Sequence, residues 1–337
     1  MEKHLLPQVE RYFKTNLHTH STITDGKLSP QELKDAYKAR GYSILAITDH
    51  DVVADHSHMT EPDFLMLTGA EFDLEERGKG IHGKAYHLTC IAKEPHTLWQ
   101  PFQNKIPKEH HLPYLEKAQI DGMLREHSVE AANAVIARAN ETGHLVTYNH
   151  PFWSLHEYPD YAGLKGLWAT ELTNYKGTTR GFSDRENAMV YRDLVNLENH
   201  IYPICADDCH GLPSLGGGWI MVGAEKLDYP SVICALEKGH FYASTGPEIY
   251  AVTLEENTLR VRCSDACAVE LVFGTRTGMK ATPIHNDGLL REAKFNLTPW
   301  REKCLDHPRY WFRVVIRGPY GHMATTRAFH CREFWEV

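Results

Sequence analysis

The chain has 337 residues, 42% of them hydrophobic and 24% charged, enough to bury one large core or one plus a small second domain. Its formal net charge is −8 without any basic stripe, which argues against holding extended nucleic acid by phosphate contacts. A short nucleotide stays admissible, since bound ions would reverse the local sign of a site. No apolar run is long enough to span a membrane, and the first residues show no signal-peptide pattern. Eight cysteines without CxxC spacing read as reduced thiols of a cytoplasmic protein.

In chain order, residues 11–17 form a strand that runs into His18. Ser29, Pro30 and Glu32 supply the N-cap, N1 and N3 positions of a helix over 30–40, stopped by Gly41. The apolar runs 43–48, 65–72 and 86–92 are strands, the last two separated by a glycine-rich turn around 78–83. Residues 109–142 read as helical, with a second part that starts near Ser128 and ends at Gly143. Strands at 145–149 and 167–172, a helix over 183–199 and a strand at 201–206 follow. Seven buried-type strands interleaved with helices predict an α/β barrel or doubly wound sheet, mostly parallel. After a helix at about 230–239 the pattern changes to period two, without helix signals. Residues 249–337 therefore predict a small antiparallel β-domain, with the division at 1–246 and 247–337.

The unusual polar residues gather just beyond the apolar strands. His18 and His20 follow the first strand, and i, i+2 spacing puts both imidazoles on one face. Asp49, His50 and Asp51 end the second strand and Glu71 the third, while His87 starts the fourth. His150 follows the fifth, Glu171 lies in the sixth, and Asp207, Asp208 and His210 follow the seventh. The C-terminal ends of parallel strands converge at one mouth, so these groups predict one site. Buried there, carboxylates need pairing or a metal. Histidine and carboxylate without thiolate suit zinc, manganese or iron better than calcium or magnesium. The donors are too many for one tetrahedral ion, which points to two or three. His56, His58, His110 and His111 follow no apolar strand and read as surface residues.

Six stretches carry a family resemblance: NLHTHSTITDGKLSPQEL (16–33), LAITDHD (45–51), TGAEF (68–72), AYHL (85–88), TYNHPF (147–152) and ADDCHG (206–211). In this order they resemble the polymerase-and-histidinol-phosphatase (PHP) family. The resemblance implies a distorted (β/α)7 barrel with a metal cluster at its C-terminal mouth. It places His18, His20, Asp208 and a bridging Glu71 on a first ion. Glu71, His87 and His150 go to a second, and Asp25, His50 and His210 to a third. A longer spacer between Glu71 and His87, and Cys209 inside the DxH, depart from the pattern without removing a ligand. The stretch 238–248, KGHFYASTGPE, is similar to that of a branch with a C-terminal β-domain, some of whose members are associated with ester or carbamate hydrolysis.

The expected activity is that of a metal-dependent phosphoesterase acting on a phosphomonoester or nucleotide phosphate. Glu71, Asp208 and His210 are its expected catalytic residues. Asp207 or Asp49 is expected to orient a ligand histidine, and Lys176 and Arg180 to hold phosphate. A hydrolase of carboxylic or carbamate esters and a non-catalytic metal-binding regulatory domain are the alternatives. A small phosphorylated or ester substrate is the expected partner, with the oligomeric state open.

Overall fold

The computed structural model describes residues 2–105, 107–181, 184–197, 200–283, 288–301 and 309–335. Its first strands are β1 (Glu2–His4), β2 (Phe13–Asn16), β3 (Ile44–Ile47), β4 (Leu65–Glu75) and β5 (Ala85–Ala92). The two-residue β6 (Trp99–Gln100) and β7 (Gln119–Ile120) follow, then β8 (His144–Tyr148), β9 (Ala169–Asn174) and β10 (Tyr202–Ala206). All seven expected strands form, and they lie side by side in the order β2-β3-β4-β5-β8-β9-β10. β5 is antiparallel to both neighbours, whereas the other pairings in this series are parallel. Reversal of one strand has a direct consequence for the site. The start of β5 lies at the same mouth as the middle of β4 and the ends of the other five.

Local chemistry explains the elements around this sheet. Helix Pro30–Lys38 opens on a reciprocal capping box between Ser29 and Glu32, as its sequence predicts. Helix Val129–Glu141 is capped by Ser128, which accepts from the Ala131 amide, and buries Ala132, Val135, Ile136 and Ala139 on one stripe. The preceding stretch departs from expectation: instead of a helix, residues 109–127 hold two short helical turns and β7. Its segment carries Pro113 and Gly122, the latter at φ +66°, and it is tied down by side chains. His110 and His111 both hydrogen-bond the Ile23 carbonyl, at 3.1 and 2.8 Å. His111 and His56 are buried, contrary to the surface reading.

The extensions of β2 and β10 meet at the mouth. The His20 amide donates to the Cys209 carbonyl at 2.8 Å, and the Asp208 amide to the His18 carbonyl at 2.9 Å. On the other side of β2 runs β11 (Trp219–Val222), unanticipated and antiparallel, and then β12 (Phe241–Ser244).

From β12 the same mixed sheet continues into the C-terminal residues. These contribute β13 (Ile249–Glu255), β14 (Thr258–Ala266), β15 (Ala268–Phe273), β16 (Gly278–Ala281), β17 (Leu290–Asn296), β18 (Trp311–Arg317), β19 (Met323–Thr325) and β20 (Phe329–His330). β19 joins β12, and β18, β15 and β16 extend the sheet. A separate four-stranded sheet, β1-β13-β14-β17, takes its edge strand from the N-terminus. Alternation along β14 buries Leu259, Val261 and Cys263 against Phe295, Phe312 and Trp300, the period-two pattern at work. One short helix, Thr298–Arg301, interrupts the strands, where none was expected. Cys90, Cys205, Cys209, Cys234, Cys263 and Cys267 are free, whereas Cys331 is disulfide-bonded, a departure from reduced thiols throughout. Among the described residues no helix is long and apolar enough to cross a membrane.

His144, at the start of β8, gives the fold a pH limit. It is 1% exposed beside Trp99, and burial pushes its pKa down to about 4. The unfolded chain takes up a proton near pH 6.5 that the folded chain refuses until about pH 4, so stability falls as pH drops through that window. The loss is about 3 kcal/mol, at roughly 1.4 kcal/mol per pH unit. A His144→Asn variant should show a flatter fall in urea midpoint between pH 7 and 4, and an unchanged slope would contradict this account.

Candidate metal centre

The ends of β3, β8, β9 and β10, the middle of β4 and the start of β5 deliver polar side chains to one cavity of about 330 Å³, and His18 and His20 after β2 lie beneath its lining against Glu71. Glu71 stands at its centre, 1% exposed. The loops place several groups at a conformational cost. His150 and Asp208 have φ of +26° and +49°, in or near the left-handed region that ordinary side chains seldom enter. Gly26 serves the loop that bears Asp25: a Cβ there would lie 2.1 Å from the His20 carbonyl oxygen, so only glycine lets the turn fold so closely.

Five histidines surround Glu71. Its carboxylate oxygens lie 3.2 Å from His18 Nε2, 3.3 Å from His20 Nε2 and 3.2 Å from His50 Nδ1. His87 Nδ1 is 3.1 Å away and His150 Nε2 3.5 Å away. Asp208 Oδ1 is 3.2 Å from His20 Nε2 and 3.6 Å from His18 Nε2. Asp25, the most exposed member, reaches His210 Nε2 at 3.0 Å, His20 Nδ1 at 3.7 Å and His50 Nε2 at 4.0 Å. All nine residues expected as ligands therefore come together.

Their donor atoms fall into overlapping groups able to hold an ion. One joins His18, His20 and Glu71, another His50, Glu71 and His87. A third joins His18, His150 and Asp208, and a fourth His20, Asp25, His50 and His210. Geometry thus shares His20 and His50 between ions differently from the division implied by resemblance. Asp73 and Glu75 form a further group with His87, but Lys105 already pairs with both carboxylates.

Donor chemistry fits divalent transition ions: six imidazoles and three carboxylates, no thiolate. His20 Nδ1 is buried without a hydrogen-bond partner, as a nitrogen meant for a cation would be. Without ions, the histidines balance the acids. Burial would raise the Glu71 pKa, but the charges of His18 and His87 and the hydrogen bond to His150 outweigh it and hold the carboxyl well below its usual range. Burial would likewise lower His18, and Glu71, Glu171 and Asp208 together raise it well above the ordinary imidazole value. His50 is different: burial and the neighbouring His20 push it down to about 3, which keeps a neutral ring available as a ligand.

The orienting carboxylate is Glu171, not Asp207 or Asp49. Glu171 Oε1 accepts from His18 Nδ1 at 2.7 Å, and its other oxygen accepts from the His150 amide at 2.9 Å and from Asn174 Nδ2 at 3.0 Å. Fully buried, it fixes the proton on Nδ1 and leaves Nε2 for an ion. Asp207 instead accepts from the Gly216, Gly217 and Gly218 amides and the Tyr37 hydroxyl, and burial still pushes its pKa up to about 6. Asp49 holds the Ser21 amide and the Ser21 and Thr24 hydroxyls. Both carboxylates shape loops and touch no ligand ring. Asn149, which donates to Glu71 at 2.6 Å, went unremarked in the sequence, as did Arg125, which ties Asp51 to Asp73. Glu171→Gln should weaken Mn²⁺ binding about 10- to 100-fold in a titration of metal-free protein. Unchanged affinity would remove its orienting role.

Lys176 and Arg180 line the same cavity. The Lys176 ammonium is 2.9 Å from both ring nitrogens of His210 and 3.6 Å from Asp208. No described residue of 247–337 belongs to a candidate ion group; His322 and His330 stand apart, and His285 lies outside the described residues.

Residues 16–161 match the family model of the PHP domain. Over 73 residues the chain is 41% identical to a 5'-3' exoribonuclease of Haemophilus influenzae, covering 20% of this chain and 27% of that protein. The chain thus spans about a quarter of the length of that curated relative. A two-domain protein from Bacteroides vulgatus, containing a predicted PHP-like metal-dependent phosphoesterase, is similar over 97% of this chain and 98% of its own, with 14% identity and a TM-score of 0.46. An amidohydrolase from Chromobacterium violaceum, with bound sulfate and no metal, is similar over 58% of this chain and 87% of its own, with 16% identity and a TM-score of 0.38.

Proposed function

We propose that this chain, which belongs to the PHP-domain family of metal-dependent phosphoesterases, hydrolyses a phosphomonoester or a nucleotide or short oligonucleotide phosphate at the nine-residue cluster. The reading takes residues 1–246 as a distorted (β/α)7 barrel and 247–337 as an accessory β-domain. One observation carries it: a single buried carboxylate, Glu71, lies within 3.1–3.5 Å of nitrogens from five histidines. Such a group could serve two cations at once. His18, His20, Glu71 and Asp208 would hold a first Mn, Zn or Fe ion, Glu71, His87 and His150 a second, and Asp25, His50 and His210 a third. Ions held there supply a water-derived nucleophile near neutral pH and offset charge on the phosphoryl oxygens.

The remaining work belongs to side chains. Glu171 keeps the His18 proton on Nδ1. Asn149 and Asn174 donate to Glu71 and Asp208 and hold both carboxylates in place. Lys176, whose ammonium is 2.9 Å from His210, and Arg180 line the cavity and bring positive charge to a dianionic substrate.

Matched aryl phosphate, acetate and carbamate esters test the assignment by kcat/KM on metal-loaded protein. The phosphate should be preferred by at least about tenfold, because a dianion gains from every added cation and a neutral ester needs only one. Preference for the acetate or carbamate would replace phosphoesterase with carbon-ester hydrolase.

A further inference from the structure

A second cavity of about 820 Å³ adjoins the metal cavity and shares Glu75, Trp153 and Arg180 with it. The first holds about 330 Å³ and is lined mostly by charged and imidazole groups, with Trp153 its one large apolar side chain. A substrate bound there extends into the second. At the junction stands Trp153, three residues after His150, inside the turn closed by the Ser154 amide donating to the His150 carbonyl at 3.0 Å. Its ring meets His87 and His150 edge-to-face, at centroid distances of 5.4 and 4.9 Å and interplanar angles of 75° and 78°. Yet it is 38% exposed, and Leu155 and Ile81, 45% and 90% exposed, line the same second cavity. Large apolar groups left open beside a charged centre mark a place where something apolar docks. Arg180 has no acidic partner among the described residues, unlike Lys84, Lys105 and Arg125 on the same lining.

We infer that Trp153 is the platform of a leaving-group subsite, and that the preferred substrate is a phosphomonoester whose leaving group carries an aromatic ring. That ring stacks on Trp153 beside the Arg180 guanidinium, while the phosphoryl group lies among the nine ligands. The inference rests on the phosphoesterase reading for the position of the phosphoryl group. Trp153 is a specificity residue here and takes no part in bond breaking.

Benzylphosphonate and cyclohexylmethylphosphonate, which cannot be hydrolysed and differ mainly in aromaticity, probe the subsite by calorimetry on the metal-loaded chain. Benzylphosphonate should bind about five- to tenfold more tightly. Trp153→Leu should abolish that ratio and Trp153→Phe should keep most of it, with metal content equal to wild type in both, because Trp153 also touches two ligand rings. Equal affinities in the wild type, or a ratio that survives Trp153→Leu, would overturn the subsite. Should Trp153→Leu lose metal, the ratio in Trp153→Phe and wild type decides. Hydrolysis of benzyl phosphate is measured separately: a Trp153-dependent ratio without turnover keeps the subsite and rejects the phosphoesterase, and turnover without the ratio does the reverse.

Discussion

Glu71→Gln is expected to lower turnover by about a thousandfold or more and to leave less than one metal ion per chain, since on the proposed reading this carboxylate would serve two ions. Glutamine keeps the size and can still accept from Asn149, which now donates at 2.6 Å, so the fold should survive. What disappears is the negative charge at the centre of five imidazoles. His210→Ala removes a donor from one edge of the cluster only, and its effect should be smaller by at least about an order of magnitude. Elemental analysis beside steady-state kinetics checks both variants. A Glu71→Gln protein with full metal content and ordinary turnover would contradict the bridging role.

Asp25→Ala is the second large effect, and it discriminates between substrates. Asp25 is half exposed, at the outer edge of the cluster, where it gathers His20, His50 and His210. Its loss should remove the outermost ion and cut kcat/KM for an aryl phosphate about 100- to 1000-fold, since a dianion loses both a cation and its orientation. Any activity on the matched acetate should fall by less than about threefold, because the inner donors around Glu71 are untouched. Parallel losses on both substrates would show that the outer group has no special task toward phosphate.

The seven strands and eight of the nine clustered residues are legible because buried strands leave short apolar runs and because histidines and acids near their ends stand out against such runs; Asp25, on a loop, is given only by the family resemblance. His87 was the informative exception. It begins its strand where the others end theirs, and only the antiparallel pairing of β5 brings it to the common mouth. Nothing in the local pattern of YHLTCIA states a strand's direction. Glu171 carried a signal that could have been pursued: a carboxylate within an apolar strand must be partnered once buried, and its partner is His18. Asp207 and Asp49 looked better placed by adjacency to ligands, but a strand's alternation turns neighbours of a ligand away from it. Asp207 consequently faces the three glycine amides at 216–218. Strands β1 and β11 escaped notice because both are short and draw their pairing from distant segments. The stretch 109–127 misled because its period suits a helix, while tertiary bonds such as His111 to Ile23 hold it otherwise.

Metal stoichiometry tests the central claim most directly. Protein purified without chelator, and again after reconstitution with Mn²⁺, Zn²⁺ or Fe²⁺, should contain two to three ions per chain by elemental analysis. Less than one equivalent that reconstitution does not raise would contradict a cluster built around Glu71.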